Sequence, residues 1–129
     1  MKILAISDME HDLVKSAAIK RHFGDVDLVL ACGDLSIRYL EYVVTMLGRP
    51  VYFVHGNDAE KYMTDERGVP QDEPGGCINL HAKVTERRGL LIAGLEGSMH
   101  YSDGDHQYSD VGMFLEALRL VPKLWRNRL

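Results

Sequence analysis

Three short apolar runs, each stopping on an acid or an amide, constrain this chain more than any other feature. Ile3-Leu4-Ala5-Ile6 ends at Ser7-Asp8, Leu28-Val29-Leu30-Ala31-Cys32 at Gly33-Asp34, and Val51-Tyr52-Phe53-Val54 at His55-Gly56-Asn57-Asp58. Continuous apolar runs of strand length suit parallel strands covered on both faces. Between the runs the spacing turns helical. Leu13, Val14, Ala17, Ala18 and Phe23 fall on one face from Asp12 to Phe23, with Asp12 as N-cap and Gly24 as stop. Ile37, Leu40, Val43, Val44 and Leu47 mark a second helix, with Ser36 as N-cap and Gly48 with Pro50 as terminator. This alternation predicts a βαβαβ unit, and right-handed crossovers make its three strands parallel neighbours.

From 59 to 76 the pattern gives way to a polar stretch with Pro70, Pro74 and Gly75-Gly76, read as a long loop carrying one short helical turn. Val84-Thr85-Glu86-Arg87 and Leu90-Leu91-Ile92-Ala93-Gly94 flank Arg88-Gly89 and predict a hairpin whose second strand, apolar throughout, enters the core. Residues 95–109, rich in Gly, Ser, Tyr and His, read as a solvated loop, although His100 and His106 could reach the strand ends. A last helix starts near Asp110 with Val111, Phe114, Leu115 and Leu118 on one face. Pro122 should break or kink it before the tail that holds Trp125, Arg126 and Arg128. The fold class is α/β: a βαβαβ parallel core plus a β-hairpin and a C-terminal helix.

At 129 residues the chain is one domain. With 46% apolar and 26% charged residues it can build a core, which excludes a disordered or collagen-like chain. A net charge of -4 argues against a dedicated nucleic-acid binder. No run of residues is long and apolar enough for a bilayer, and Met1-Lys2-Ile3-Leu4 enters a strand directly, so the expected location is cytoplasmic. Cys32 and Cys77 match no metal or disulfide spacing and read as free thiols, Cys32 in the core.

In an open parallel sheet, ligands bind outside the carboxyl ends of the strands. Asp8, Asp34 and Asn57 should therefore converge there. Two carboxylates and an amide at close quarters call for a counter-charge, which a divalent cation supplies, and an acid on the middle strand can bridge two cations. The plainer alternative is that each is a turn former or helix cap. Other α/β chemistries fit less well, since the chain has no Gly-rich phosphate loop, no nucleophile elbow and no strand-end lysine of the receiver type. Among the histidines, His55 reads as packed beside its strand, His22 as solvated and His81 as bonded to local backbone.

Ser7-Asp8-x-Glu10, Cys32-Gly33-Asp34 and His55-Gly56-Asn57-Asp58 resemble the first three signature blocks of the calcineurin-like metallophosphoesterases, D-x-H, G-D and G-N-H-D/E. Order, spacing and strand-end placement all agree over residues 1–60. Beyond them the likeness is one of style, in Ile78-Asn79-Leu80-His81 and Leu91-Ile92-Ala93-Gly94-Leu95-Glu96-Gly97. The resemblance implies the first half of that family's α/β sandwich. It implies a hydrolase of phosphate esters, either a phosphodiesterase or a phosphomonoesterase, using two divalent metal ions (Mn, Fe, Zn or Ni). Asp8 would hold the first ion, Asp34 would bridge both, and Asn57 would bind the second and help place the phosphate. Glu10 stands where the family has a histidine ligand, with His11 beside it; either serves, or neither does. Asp58 stands in place of the family's catalytic histidine and could protonate a leaving group only with a raised pKa.

The family's later histidine-bearing blocks have no counterpart. The resemblance therefore implies the N-terminal portion of a longer phosphoesterase domain, impaired without the rest, or a non-catalytic protein-binding scaffold of the same fold. The expected small-molecule partner is a phosphate ester; nucleic acid would enter only as a phosphodiester, and no membrane is involved. A second sheet covers part of this half in the family. The apolar surface left here should associate with a second copy or a missing C-terminal segment, through the last helix and Trp125.

Overall fold

The apolar runs pair as parallel strands in chain order. The computed structural model describes residues 1–126 apart from 66, 72, 103 and 105, with only the backbone at 60 and 61. Arg128 of the tail lies outside the described residues, as do Asp103 and Asp105. β1 (Ile3–Ile6), β2 (Leu28–Cys32), β3 (Val51–Val54) and the two-residue β4 (Ile78–Asn79) form one sheet in the order β1-β2-β3-β4. Ile3 sits opposite Leu28, Val29 opposite Val51, and Tyr52 opposite Ile78. The chain is thus mixed α/β, with a parallel four-stranded sheet and a C-terminal helix among the described residues.

α1 (Ile19–Phe23) and α2 (Ile37–Leu47) connect the strands. α2 forms as its sequence signals: Ser36 Oγ accepts the Tyr39 N–H at 3.3 Å, and Gly48 closes the helix in the left-handed conformation, φ 58°. α1 is much shorter than expected. The backbone from 12 to 18 turns instead, because nearby side chains offer it competing partners: His11 Nδ1 accepts the Leu13 N–H and Ser16 Oγ accepts the Ala18 N–H.

One face of the sheet, through Val29, Ala31, Val51 and Phe53, packs with Ile19, Ile37, Tyr39, Leu40 and Val43 in the main core. The other face, through Leu28 and Tyr52, meets Leu80 and Ile92 in a smaller cluster. Fully burying a side chain such as Phe53 or Ile19 contributes about 1.5–3 kcal/mol. β1 was expected to be covered on both faces and is not. It is the edge strand, so Leu4 and Ile6 reach the main core while Ile3 and Ala5 remain exposed.

α3 (Ala59–Tyr62) is the single helical turn of the long loop. β5 (Val84–Arg87) and β6 (Leu90–Ala93) pair antiparallel about Arg88 and Gly89, whose φ values of 50° and 82° suit a tight hairpin turn. Only Ile92 of β6 enters the core; Leu90, beside the turn, and Ala93 are exposed. β7 (Ser98–Met99) and β8 (Gln107–Tyr108) form a short parallel pair inside the stretch read as loop. α4 (Asp110–Arg126) runs through Pro122 without ending there. The carbonyl deprived of its partner by Pro122 belongs to Leu118, on the solvent side, where water can satisfy it. Cys32 is exposed rather than core, since it ends β2 at the open carboxyl edge, and Cys77 is half-buried.

Candidate functional site

Asp8, Asp34 and Asn57 all lie just past the carboxyl ends of β1, β2 and β3. Asp8 has φ 59° and Asp34 φ 53°, a left-handed conformation uncommon for residues other than glycine. The Asp8 N–H donates to the Gly33 carbonyl at 3.2 Å, tying the end of β1 to that of β2. Ser7 Oγ donates to Asp8 Oδ2 at 2.5 Å.

The next link is a contact between glycines. A Cβ on Gly33 would lie 2.8 Å from the Gly56 Cα, and one on Gly56 would lie 2.1 Å from Asp34 Oδ1. The absence of both side chains lets the Asp34 carboxylate settle directly over β3's exit. There its Oδ1 accepts the Asp58 N–H at 3.1 Å. Asn57 Nδ2 donates to Asp58 Oδ1 at 3.1 Å and also to the Tyr101 hydroxyl. Asp34, Asn57, Asp58 and Tyr101 are thus one connected set, with Asp8 joined to it through the Gly33 backbone.

Glu10 is not part of this set. Its carboxylate accepts from Lys15 Nζ and Ser36 Oγ beside a cleft that Arg38, Tyr39 and Tyr42 also line. Burial pushes the Glu10 carboxyl up, but the bonds from Lys15 and Ser36 outweigh it and hold it below the ordinary range. His11 spends its Nδ1 on the Leu13 N–H. Among the described residues, no three His, Cys, Asp or Glu side chains are grouped so as to hold a metal ion. Among the described residues, Asp8, Asp34, Asn57 and Asp58 bring side-chain carboxylate or amide oxygens to the strand ends.

A second polar cluster adjoins the first. His55, following β3, packs edge-on against Phe53 and stacks on His106 with ring centroids 5.5 Å apart. Glu96 Oε1 lies 3.2 Å from His106 Nδ1 and 3.5 Å from His81 Nε2, and it accepts the Tyr108 hydroxyl at 3.2 Å. His81 Nδ1 accepts the Glu96 N–H at 3.2 Å, a backbone bond fifteen positions away rather than the local one expected. Burial lowers the His55 pKa, with Glu96 opposing and His106 assisting, and its Nδ1 is buried without a hydrogen-bond partner. Burial likewise raises the Tyr108 hydroxyl, and Glu96 adds to the effect.

Sequence reasoning missed Tyr101 as a partner of Asn57, which is 44 positions away, and underrated His106. Nothing periodic marks either residue. Known protein-family models, curated proteins and solved structures give no match to this chain.

Proposed function

We propose that this chain is a divalent-metal-dependent hydrolase of phosphate esters, with the half-sandwich pattern of the calcineurin-like metallophosphoesterases. The observation that carries this reading is the arrival of Asp8, Asp34 and Asn57 at the carboxyl ends of three adjacent parallel strands. Their chemistry fits a hard cation such as Mn²⁺, which favours carboxylate and amide oxygens. Asp8, Asp34 and Asn57 would hold the metal ions, Asp34 from the middle strand serving both. When bound, such ions supply Lewis acidity that offsets the charge of a phosphate.

The chain's own groups supply orientation. The Asn57 amide, now donating to Asp58 and Tyr101, would exchange one of these acceptors for a phosphoryl oxygen. Asp58 fixes the amide plane by accepting from it, and that orienting role is better supported than proton donation. Tyr101 brings an O–H against the same amide and is a candidate proton donor to a leaving alkoxide.

A second reading, a non-catalytic protein-binding scaffold of the same fold, is favoured by two observations. Glu10 is engaged by Lys15 and Ser36, and the described residues hold no imidazole-bearing metal group. One experiment separates the two. With Mn²⁺ and a chromogenic phosphate mono- or diester, the hydrolase reading expects turnover that falls at least about 100-fold in Asp34→Asn, more than the loss of a supporting contact would cause. Equal rates in both proteins, or no Mn²⁺ uptake by calorimetry, would leave the scaffold reading.

A further inference from the structure

α4 carries two apolar faces, and the fold uses only one. Leu120 is buried and Met113, Ala117 and Leu124 are partly covered. On the outer face Val111, Phe114, Leu118, Val121 and Trp125 are 69, 61, 46, 51 and 73% exposed, and Leu115 beside them is 54% exposed. The stripe extends into a shallow groove lined by Leu91, Val121, Leu124 and Trp125.

The spacing of the five is informative. Steps of three, four, three and four are the a/d repeat that seats one helix against another, narrower than the face a helix needs to cover its own core. At those exposures the six side chains present on the order of 700 Å² of apolar surface. That exceeds the ~300–600 Å² of the largest patch on most monomers and approaches the ~800 Å² each partner gives to a standard interface.

We infer that the chain pairs with a second copy of itself through this face, the two α4 helices antiparallel with Leu118 on the two-fold axis. The stripe is self-complementary when reversed. Leu118 is the midpoint of Asp110–Arg126, so antiparallel pairing sets Val111 against Trp125 of the second copy and brings Phe114 within one residue of the level of Val121. A small residue meets a large one at each of those levels. The ends agree as well, since Asp110 in the first turn faces Arg126 in the last turn of the second copy. A parallel pair would instead stack Trp125 on Trp125 and Asp110 on Asp110.

The test uses the whole 129-residue chain. Sedimentation equilibrium at about 100 µM, above the micromolar constants of weak standard-size interfaces, should give twice the 14.6 kDa chain mass. A monomer there would overturn the proposal. Leu118→Glu brings two carboxylates together on the axis. It should raise the dimer dissociation constant roughly 100-fold or more while far-UV circular dichroism stays unchanged. A folded Leu118→Glu protein that still dimerises would overturn the proposal.

Cross-linking reads the orientation without relying on a disruptive change. In a Cys32→Ser background, Leu118→Cys should oxidise to a disulfide-linked dimer. Val111→Cys should not, because fourteen positions along an antiparallel pair separate its copies by ~21 Å. Cross-linking of Val111→Cys as fast as Leu118→Cys would refute the antiparallel arrangement.

Discussion

Gly56→Ala is the most direct probe of how the strand ends are joined. Gly56 does not need its glycine for a left-handed backbone, because its φ is not in the positive region. What excludes a side chain is the Asp34 carboxylate. An added Cβ would lie 2.1 Å from Oδ1, 2.4 Å from Cγ and 2.6 Å from Oδ2, where ordinary contact is about 3.5 Å. Backing away is blocked on the β2 side, where Gly33 already approaches Gly56 closely. The carboxylate must therefore rotate off and give up the Asp58 N–H. Overpacking of this kind costs about 1–3 kcal/mol. Taking about 2 kcal/mol, and an unfolding entropy near 2.1 cal/mol/K per residue over 129 residues, the melting midpoint should fall by roughly 7 °C. The cycle is completed in Asp34→Gly, which suits the left-handed backbone at 34 and removes the obstructing group. There Gly56→Ala should cost less than about 0.5 kcal/mol, whereas in Asp34→Asn, which keeps the bulk, it should cost as much as in the wild type. Calorimetric melting of the six proteins measures the coupling. An unchanged midpoint in Gly56→Ala, or an equal loss in the Asp34→Gly background, would refute the steric argument.

Ser36→Ala removes the α2 cap and the hydroxyl that engages Glu10; it should lose about 1 kcal/mol, or ~4 °C, and an unchanged melt would count against the capping role. Burial, with Glu41 adding to it, pushes the Cys77 thiol up to about 11, and burial with Asp8 also raises Cys32, so Ellman's reagent at pH 8 should react faster with the more exposed Cys32 than with Cys77. The Cys77 rate should rise about tenfold per pH unit toward pH 10, and comparable rates for both thiols at pH 8 would refute this. His55 has its pKa lowered by burial and by His106 and His81, against Glu96 and Glu73. The unfolded chain takes a proton near pH 6.5 that the fold resists, so stability is full above that pH and declines as pH falls toward the folded pKa. Thermal melts between pH 7 and 5 should show this decline shallower in His55→Asn; equal slopes would assign it to other groups.

The parts legible in the sequence are those where local chemistry and the fold agree. Ser36 and Gly48 bound α2 because a hydroxyl acceptor and a left-handed glycine satisfy backbone groups with no help from the rest of the chain. The three strands are legible because apolar runs of that length have few other places to go. What stayed hidden depends on distant partners. β4 is two residues that pair only because β3 has a free edge, and the expected long α1 gives way to bonds from His11 and Ser16. The candidate site divides the same way. Asp8, Asp34, Asn57 and Asp58 could be placed from strand ends alone. The diversion of Glu10 to Lys15 and Ser36, and the arrival of Tyr101 at Asn57, are side-chain choices that no periodicity encodes.

Several conformational costs of this fold fall at one edge, while Ala82, Arg88 and His106 take left-handed backbone elsewhere. Asp8 and Asp34 take left-handed backbone, Gly33 and Gly56 leave no room for a side chain, and His55 Nδ1 is buried without a partner, all past the carboxyl ends of β1, β2 and β3. Strained residues cost of order 1–3 kcal/mol each, and an unmet buried polar atom costs a similar amount. Asparagine or glycine would serve Asp34's φ of 53° at least as well, yet the chain keeps a carboxylate there and clears β3 to receive it. This makes the carboxylate, rather than the turn, the feature that the local sequence preserves. It is why Asp34→Asn, nearly neutral in shape, is the substitution that should separate the chemistry of this edge from its architecture.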